Sequence, residues 1–253
     1  MGGSREGPGP SLSPGLTGRR TCKAAYVRFD LDNFIDDCTA LQRESDQVGA
    51  TAELVARQVS HGPKLDDTFA DGSPGPLTLY ASPELTVQRI EWPAGFHGAP
   101  HDHRMWAVVG VYVGSEHNNF HRRGPHGLVD AGGHVIEQGS VLALDTEAIH
   151  SVTNPSRESV IGLHVYGGDI DGVPRSQWRP DGTEGPLDEV RAEYLNMWAA
   201  VRELLSEASP PLSDDQVFEA ISAINEQIRQ RQRTLAHDEI RQVLTALGSP
   251  ATE

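Results

Sequence analysis

The sequence predicts a mainly β protein, a sandwich or barrel of short strands with helices before and after it. Three features predict this. Between about residue 77 and residue 166, apolar runs alternate with Gly- and Pro-bearing turns and carry no helical period. On either side of that region, apolar residues return at helical spacing. Nine of the eleven histidines fall between His97 and His164, inside the β region.

Taken in order, residues 1–20 (MGGSREGPGPSLSPGLTGRR) hold little that could be buried and are expected to be a disordered lead. Leu31, Phe34, Ile35, Cys38 and Leu41 then mark a helix over 31–41. A second helix is expected through Ala52–Val59, stopped at His61-Gly62-Pro63. The candidate strands are Leu85–Trp92, Met105–Val113, Ser140–Leu144, Ile149–Thr153 and Ser159–Tyr166. Met105–Val113 (MWAVVGVYV) is apolar on both faces, as a central strand would be. A Gly- and Pro-rich loop is expected from Tyr166 to Pro186, closing a domain over 21–186. A helical extension then fills 187–253. Its stripes are Tyr194, Leu195, Trp198, Val201 and Leu205, then Val217, Ile221, Ile224 and Ile228 after the cap-like Ser213-Asp214-Asp215. A last helix is expected over Asp238–Leu247, and the extension is a candidate homo-oligomer contact.

Composition narrows the function classes. No apolar run is long enough to cross a bilayer, and no secretory leader is expected at the N-terminus. A net charge of −15 disfavours nucleic acid and anionic membrane surfaces as partners. Cys22 and Cys38 fit neither a redox pair nor a zinc ribbon and are expected to be reduced, half-buried thiols of a cytoplasmic protein.

The chemistry concentrates at Pro100-His101-Asp102-His103 and at Ile149-His150. Histidines two apart on an extended strand point the same way. A third imidazole brought alongside by sheet closure would complete a site for a divalent transition metal. Gly95 precedes His101 by six residues, Gly114 follows His103 by eleven, and Asn154 follows His150 by four. These are the two halves of the pattern seen in the cupin superfamily, whose fold is the double-stranded β-helix or jelly-roll barrel. Where many cupins place a glutamate ligand after the second histidine, this chain has Ala107 and Val108. The resemblance therefore implies a site of three histidines without a carboxylate.

The words around the histidines sharpen the likeness. PHDHRMWAVVGVYVGSE (100–116), AIHSVTN (148–154) and LHVYGGDIDGVPR (163–175) resemble the bacterial thiol dioxygenases. That family comprises cysteine dioxygenase and 3-mercaptopropionate dioxygenase types, and the second is the nearer. The resemblance covers roughly residues 31–176. It implies Fe(II) held by His101, His103 and His150, a small thiol and O2 as substrates, and a sulfinate as product. It implies that His164 and Tyr166 form a hydrogen-bond relay beside the iron, and that Arg175 binds the substrate carboxylate. The family's relay usually starts with a serine two residues before the histidine; here that residue is Gly162. The Cys–Tyr cross-link of the cysteine-type enzymes is excluded, because no cysteine follows Cys38.

Read alone, Tyr166 is equally a barrel-core residue and Arg175 more often a solvated one. His97 is as fit for the surface as for the mouth of a pocket. His117, His121, His126 and His134 read as solvated hairpin residues, and Glu116 stands too far along its strand to be claimed as a ligand. Trp106 is expected in the core. Two rival functions stay open: a cupin metalloenzyme oxidising a non-thiol substrate, and a non-catalytic metal-binding sensor.

Overall fold

The computed structural model describes residues 29–68, 74–125 and 127–247. The expected lead, Cys22 and His126 lie outside them. Two helices come first, α1 (Leu31–Leu41) and α2 (Gln47–Val59). An aspartate starts each one: Asp30 accepts the Asn33 N–H, and Asp46 accepts that of Gly49. A side-chain oxygen there satisfies an amide that has no partner inside the helix. The cap at Asp46 is why α2 begins at Gln47 rather than at Ala52, where its apolar stripe becomes legible.

The strands are β1 (Gly75–Ala81), β2 (Thr86–Trp92), β3 (His101–Asp102), β4 (Ala107–Val113), β5 (Ser115–Gly124) and β6 (Gly127–Glu137). They continue as β7 (Val141–Leu144), β8 (Ile149–Thr153), β9 (Val160–Tyr166), β10 (Ser176–Trp178) and β11 (Glu184–Pro186). They form two sheets, in the orders β1-β2-β9-β4-β7 and β11-β10-β3-β8-β5-β6. All the pairings are antiparallel. Strands β2 to β9 thus run 2-9-4-7 in one sheet and 3-8-5-6 in the other. Along that stretch the chain changes sheet at every step except the β5–β6 hairpin. This interleaving is that of an eight-stranded jelly roll, the double-stranded β-helix.

Period two sorts the residues of the first sheet. On β4 and β9, Ala107, Val109, Val111 and Tyr166 belong to the core cluster that holds Ile136 and Leu144. Val108, Tyr112, Leu163 and Val165 belong instead to the cluster shared with α1 and α2. Helix α2 lies so close to β4 that a Cβ at Gly110 would sit 2.5 Å from Cγ1 of Val55 and 2.8 Å from Cγ1 of Val59. Gly110→Leu is therefore expected to cost about 1–3 kcal/mol by overpacking, read as a lower urea midpoint at unchanged slope.

Two expectations need correction. The segment between Tyr166 and Pro186 is not loop throughout, because β10 pairs Gln177 with His101 and the Trp178 N–H donates to the Pro100 carbonyl at 2.9 Å. Cys38 is fully rather than half buried, and burial together with Asp37 pushes its thiol up to about 12. Trp106 is in the core, as expected.

Beyond Pro186 come α3 (Leu187–Ser206), α4 (Asp214–Arg231) and α5 (His237–Ala246). Met197, Val201, Leu204, Ile224, Ile228, Ile240 and Leu244 give these helices a core of their own. They also touch the barrel. Asn225 Nδ2 donates to the Gly95 carbonyl at 2.9 Å, and Arg157 pairs with Asp215 at 2.7 Å and Glu219 at 2.8 Å. Helix α4 thus braces the turn that leads into the first histidine motif. Among the described residues, no helix is long and apolar enough to cross a membrane.

Candidate metal centre

Strands β3 and β8 are neighbours, with His101 directly opposite His150. His103 follows one residue past β3 and returns to the side of His101. The Nε2 atom of His103 is 3.3 Å from that of His101 and 3.3 Å from that of His150. One nitrogen from each ring lies within 4.8 Å of the others, as ligands of one ion would. The structure therefore brings together the three histidines that the sequence singles out.

The outer faces of the rings decide where their protons sit. His101 Nδ1 is 3.1 Å from the Ala99 carbonyl, and His150 Nδ1 is 2.7 Å from Asn118 Oδ1. Both oxygens accept, so both Nδ1 atoms carry the proton and both Nε2 lone pairs turn inward. A neutral His103 can donate to only one of its two neighbours. At least one inward Nε2 lone pair is then left without a donor, which a cation between the rings would relieve. Burial holds His101 down at about 4 and pushes His103 and His150 well below the usual imidazole range. The rings are thus neutral donors in neutral solution, and an all-imidazole set suits iron, nickel, copper or zinc.

Asp102 points away from the cluster, as period two requires. It is buried, accepts the Ser176 N–H at 2.8 Å, and pairs with Arg104 Nε at 2.8 Å and with Arg123 at 3.4 Å. These contacts tie the strand between two ligands to β10 and hold the histidines in register.

His164 and Tyr166 come from β9, in the opposite sheet, and face inward. The Tyr166 ring stands edge-on to His103, with centroids 5.2 Å apart and planes at 85°. Its hydroxyl is 3.3 Å from His164 Nδ1. Burial raises the Tyr166 pKa and lowers that of His164 to about 3, so the phenol is protonated and the imidazole neutral. A Cβ at Gly162 would lie 2.8 Å from His164 Nε2. The histidine ring itself thus covers the place where a relay serine would stand.

Beyond that ring lies Glu116, fully buried, with Oε2 3.7 Å from His164 Nε2. Arg175 is largely buried and pairs with Asp171 at 3.9 Å. Its charge acts on His101, His103 and Tyr166, lowering the pKa of each.

Not all the other histidines join. His97 is exposed, with its backbone bridged to Thr153, and His134 is exposed on β6. His117 and His121 are half-buried, and His121 Nε2 meets Ser151 Oγ at 3.2 Å. Two buried residues of the site, Asn118 and Glu116, have no role assigned from the sequence. Their only signal there is the alternation of Glu116, Asn118 and Phe120 along β5, hidden in a hairpin that reads as polar.

No family model matches the chain. Several solved structures resemble it in outline. An uncharacterised double-stranded β-helix protein of Klebsiella pneumoniae is 14% identical, with 44% of this chain and 86% of that one covered at a TM-score of 0.36. A cupin of Methanocaldococcus jannaschii is 11% identical, with 41% and 89% covered at 0.34. The DMSP lyase DddQ of Ruegeria pomeroyi is 14% identical, with 57% and 94% covered at 0.38. The strand order, rather than these likenesses, carries the fold assignment.

The fold is a double-stranded β-helix jelly roll, and its interior holds three histidines that could bind a metal.

Proposed function

We propose that the protein is a non-haem Fe(II) dioxygenase that converts a small thiol carboxylate, of the 3-mercaptopropionate or cysteine type, to its sulfinate. The observation that carries this reading is the placement of Tyr166 edge-on to His103, with the charge of the largely buried Arg175 acting on Tyr166. The three matching segments, 100–116, 148–154 and 163–175, support it.

His101, His103 and His150 would hold the ion. Bound Fe(II) would supply a coordination site for the thiol sulfur and the redox chemistry that joins it to both oxygen atoms of O2. Three neutral ligands leave the charge of the ion uncompensated, which favours a thiolate over a thiol. Arg175 presents a planar fork suited to a carboxylate, and its burial strengthens that contact. Tyr166 keeps its proton and can donate it as a hydrogen bond, either to His164 Nδ1 or into the site. Val109 and Ala107 on the inner face of β4 help exclude water.

The test is anaerobic reconstitution with Fe(II), followed by oxygen-electrode traces with 3-mercaptopropionate, cysteine and cysteamine. Prompt uptake with a carboxylate-bearing thiol is expected. No uptake from protein carrying one tightly bound iron would contradict the reading. Arg175→Lys is expected to raise KM for the carboxylate substrate about 10–100-fold, with kcat little changed, because the two-pronged contact is lost. Equal KM values for the variant and the unaltered protein would remove Arg175 from this role.

A further inference from the structure

Glu116 is a buried carboxylate to which the proposed reaction gives no task. Its oxygens face three groups. Trp92 Nε1 donates to Oε2 at 2.7 Å, and Asn118 Nδ2 donates to Oε1 at 3.0 Å. His164 Nε2, buried and without a hydrogen-bond partner, lies 3.7 Å from Oε2. Asn118 in turn faces His150 Nδ1 through its own Oδ1. One side chain thus stands between a metal ligand and the Tyr166–His164 pair.

Burial raises the Glu116 pKa, but both of its hydrogen-bonded neighbours donate to it, so its oxygens act as acceptors and fix the direction of the bonds around them. On one side it draws the Asn118 amide nitrogen inward. Asn118 Oδ1 must then face His150, the proton of His150 must sit on Nδ1, and Nε2 is left bare toward the metal point. On the other side it favours the proton of His164 on Nε2, which leaves Nδ1 as the acceptor for the Tyr166 hydroxyl. The logic is that of an acidic residue holding a catalytic imidazole in one tautomer.

We propose that Glu116 is a positioning residue that sets the hydrogen-bond polarity of both arms, presenting His150 Nε2 to the metal and His164 Nδ1 to Tyr166. The proposal rests on the metal-binding reading of the triad and not on the identity of the substrate.

Glu116→Gln tests it, because the shape is kept and the polarity is not. Trp92 can only donate, so the glutamine oxygen must face it, and the new amide nitrogen then meets Asn118 Nδ2. The conflict is relieved by turning Asn118 over. That aims an N–H at His150 Nδ1 and moves the His150 proton to Nε2, where the metal binds. With Zn(II) alone as the probe, in competition with a chromophoric chelator, affinity is expected to fall about 10–100-fold, the usual cost of losing a ligand's supporting partner. Adding Asn118→Asp should restore most of it. The glutamine nitrogen then donates to one oxygen of the introduced carboxylate, whose other oxygen accepts from His150, with net charge unchanged.

A role in packing alone would produce neither the loss nor the rescue. Zn(II) affinity equal to that of the unaltered protein in Glu116→Gln would overturn the proposal, as would a double variant that binds no better than the single one. Should the variants fail to fold, nitrogen-15 spectra of histidine-labelled, Zn(II)-loaded unaltered protein decide the matter. They are expected to show His164 protonated at Nε2 and His150 at Nδ1, and the opposite tautomer at either residue would sink the idea. Zn(II) binding involves neither thiol nor O2, so failure of the thiol reaction and failure of this proposal are separate results.

Discussion

His103→Ala is expected to remove stoichiometric metal binding and all thiol-dependent oxygen uptake together. His103 is the ring whose Nε2 is 3.3 Å from both of its neighbours, so its loss leaves two donors on one strand pair and opens one side of the site. The effect on affinity should exceed the roughly 10–100-fold cost of removing a mere supporting partner. Metal content after gel filtration measures it, with His237→Ala, at an exposed residue of α5, as the comparison. Retention of one tightly bound ion per chain in His103→Ala would contradict the assignment.

The second large effect is acid sensitivity of the metal-free protein. His103, His150 and His164 are buried, His101 is half-buried, and all four are shifted downward, to about 4 at His101 and about 3 at His164. In the unfolded chain each would titrate at the ordinary value of about 6.5. Between the folded and unfolded values the unfolded state binds more protons, so stability rises with pH there and falls as pH drops below about 6.5. At about pH 5 His101 and His164 each destabilise the fold by about 2 kcal/mol relative to neutral solution, and His103 and His150 act in the same direction. The urea midpoint of metal-free protein should therefore drop steeply between about pH 7 and pH 5. His164→Asn should flatten that drop by its share. A midpoint constant across the window would show that these imidazoles are not held neutral in the fold.

What the sequence reveals follows the reach of local rules. His101 and His103 announce themselves through period two, and α1 through the spacing of Leu31 to Leu41, because both patterns are short-range. Strand β10 escapes such rules because Gln177 becomes a strand residue only by pairing with His101, far earlier in the chain. Strand β1 escapes them in the same way, being an edge strand completed by β2. Glu116 and Asn118 look like hairpin surface in the sequence. They are buried because β5 closes the second sheet over the site and gives their polar atoms partners there. Tyr166 and His164 can be placed on one strand face from sequence, but their meeting with a histidine of the other sheet depends on the interleaved strand order.

The proposed reaction puts both atoms of O2 on the sulfur of a small thiol carboxylate at the three-histidine site. The most direct measurement is the mass of the product formed by Fe(II)-reconstituted protein from 3-mercaptopropionate under oxygen-18 gas. A sulfinate carrying two labelled oxygen atoms is expected. A disulfide, or a product that takes its oxygen from water, would contradict it.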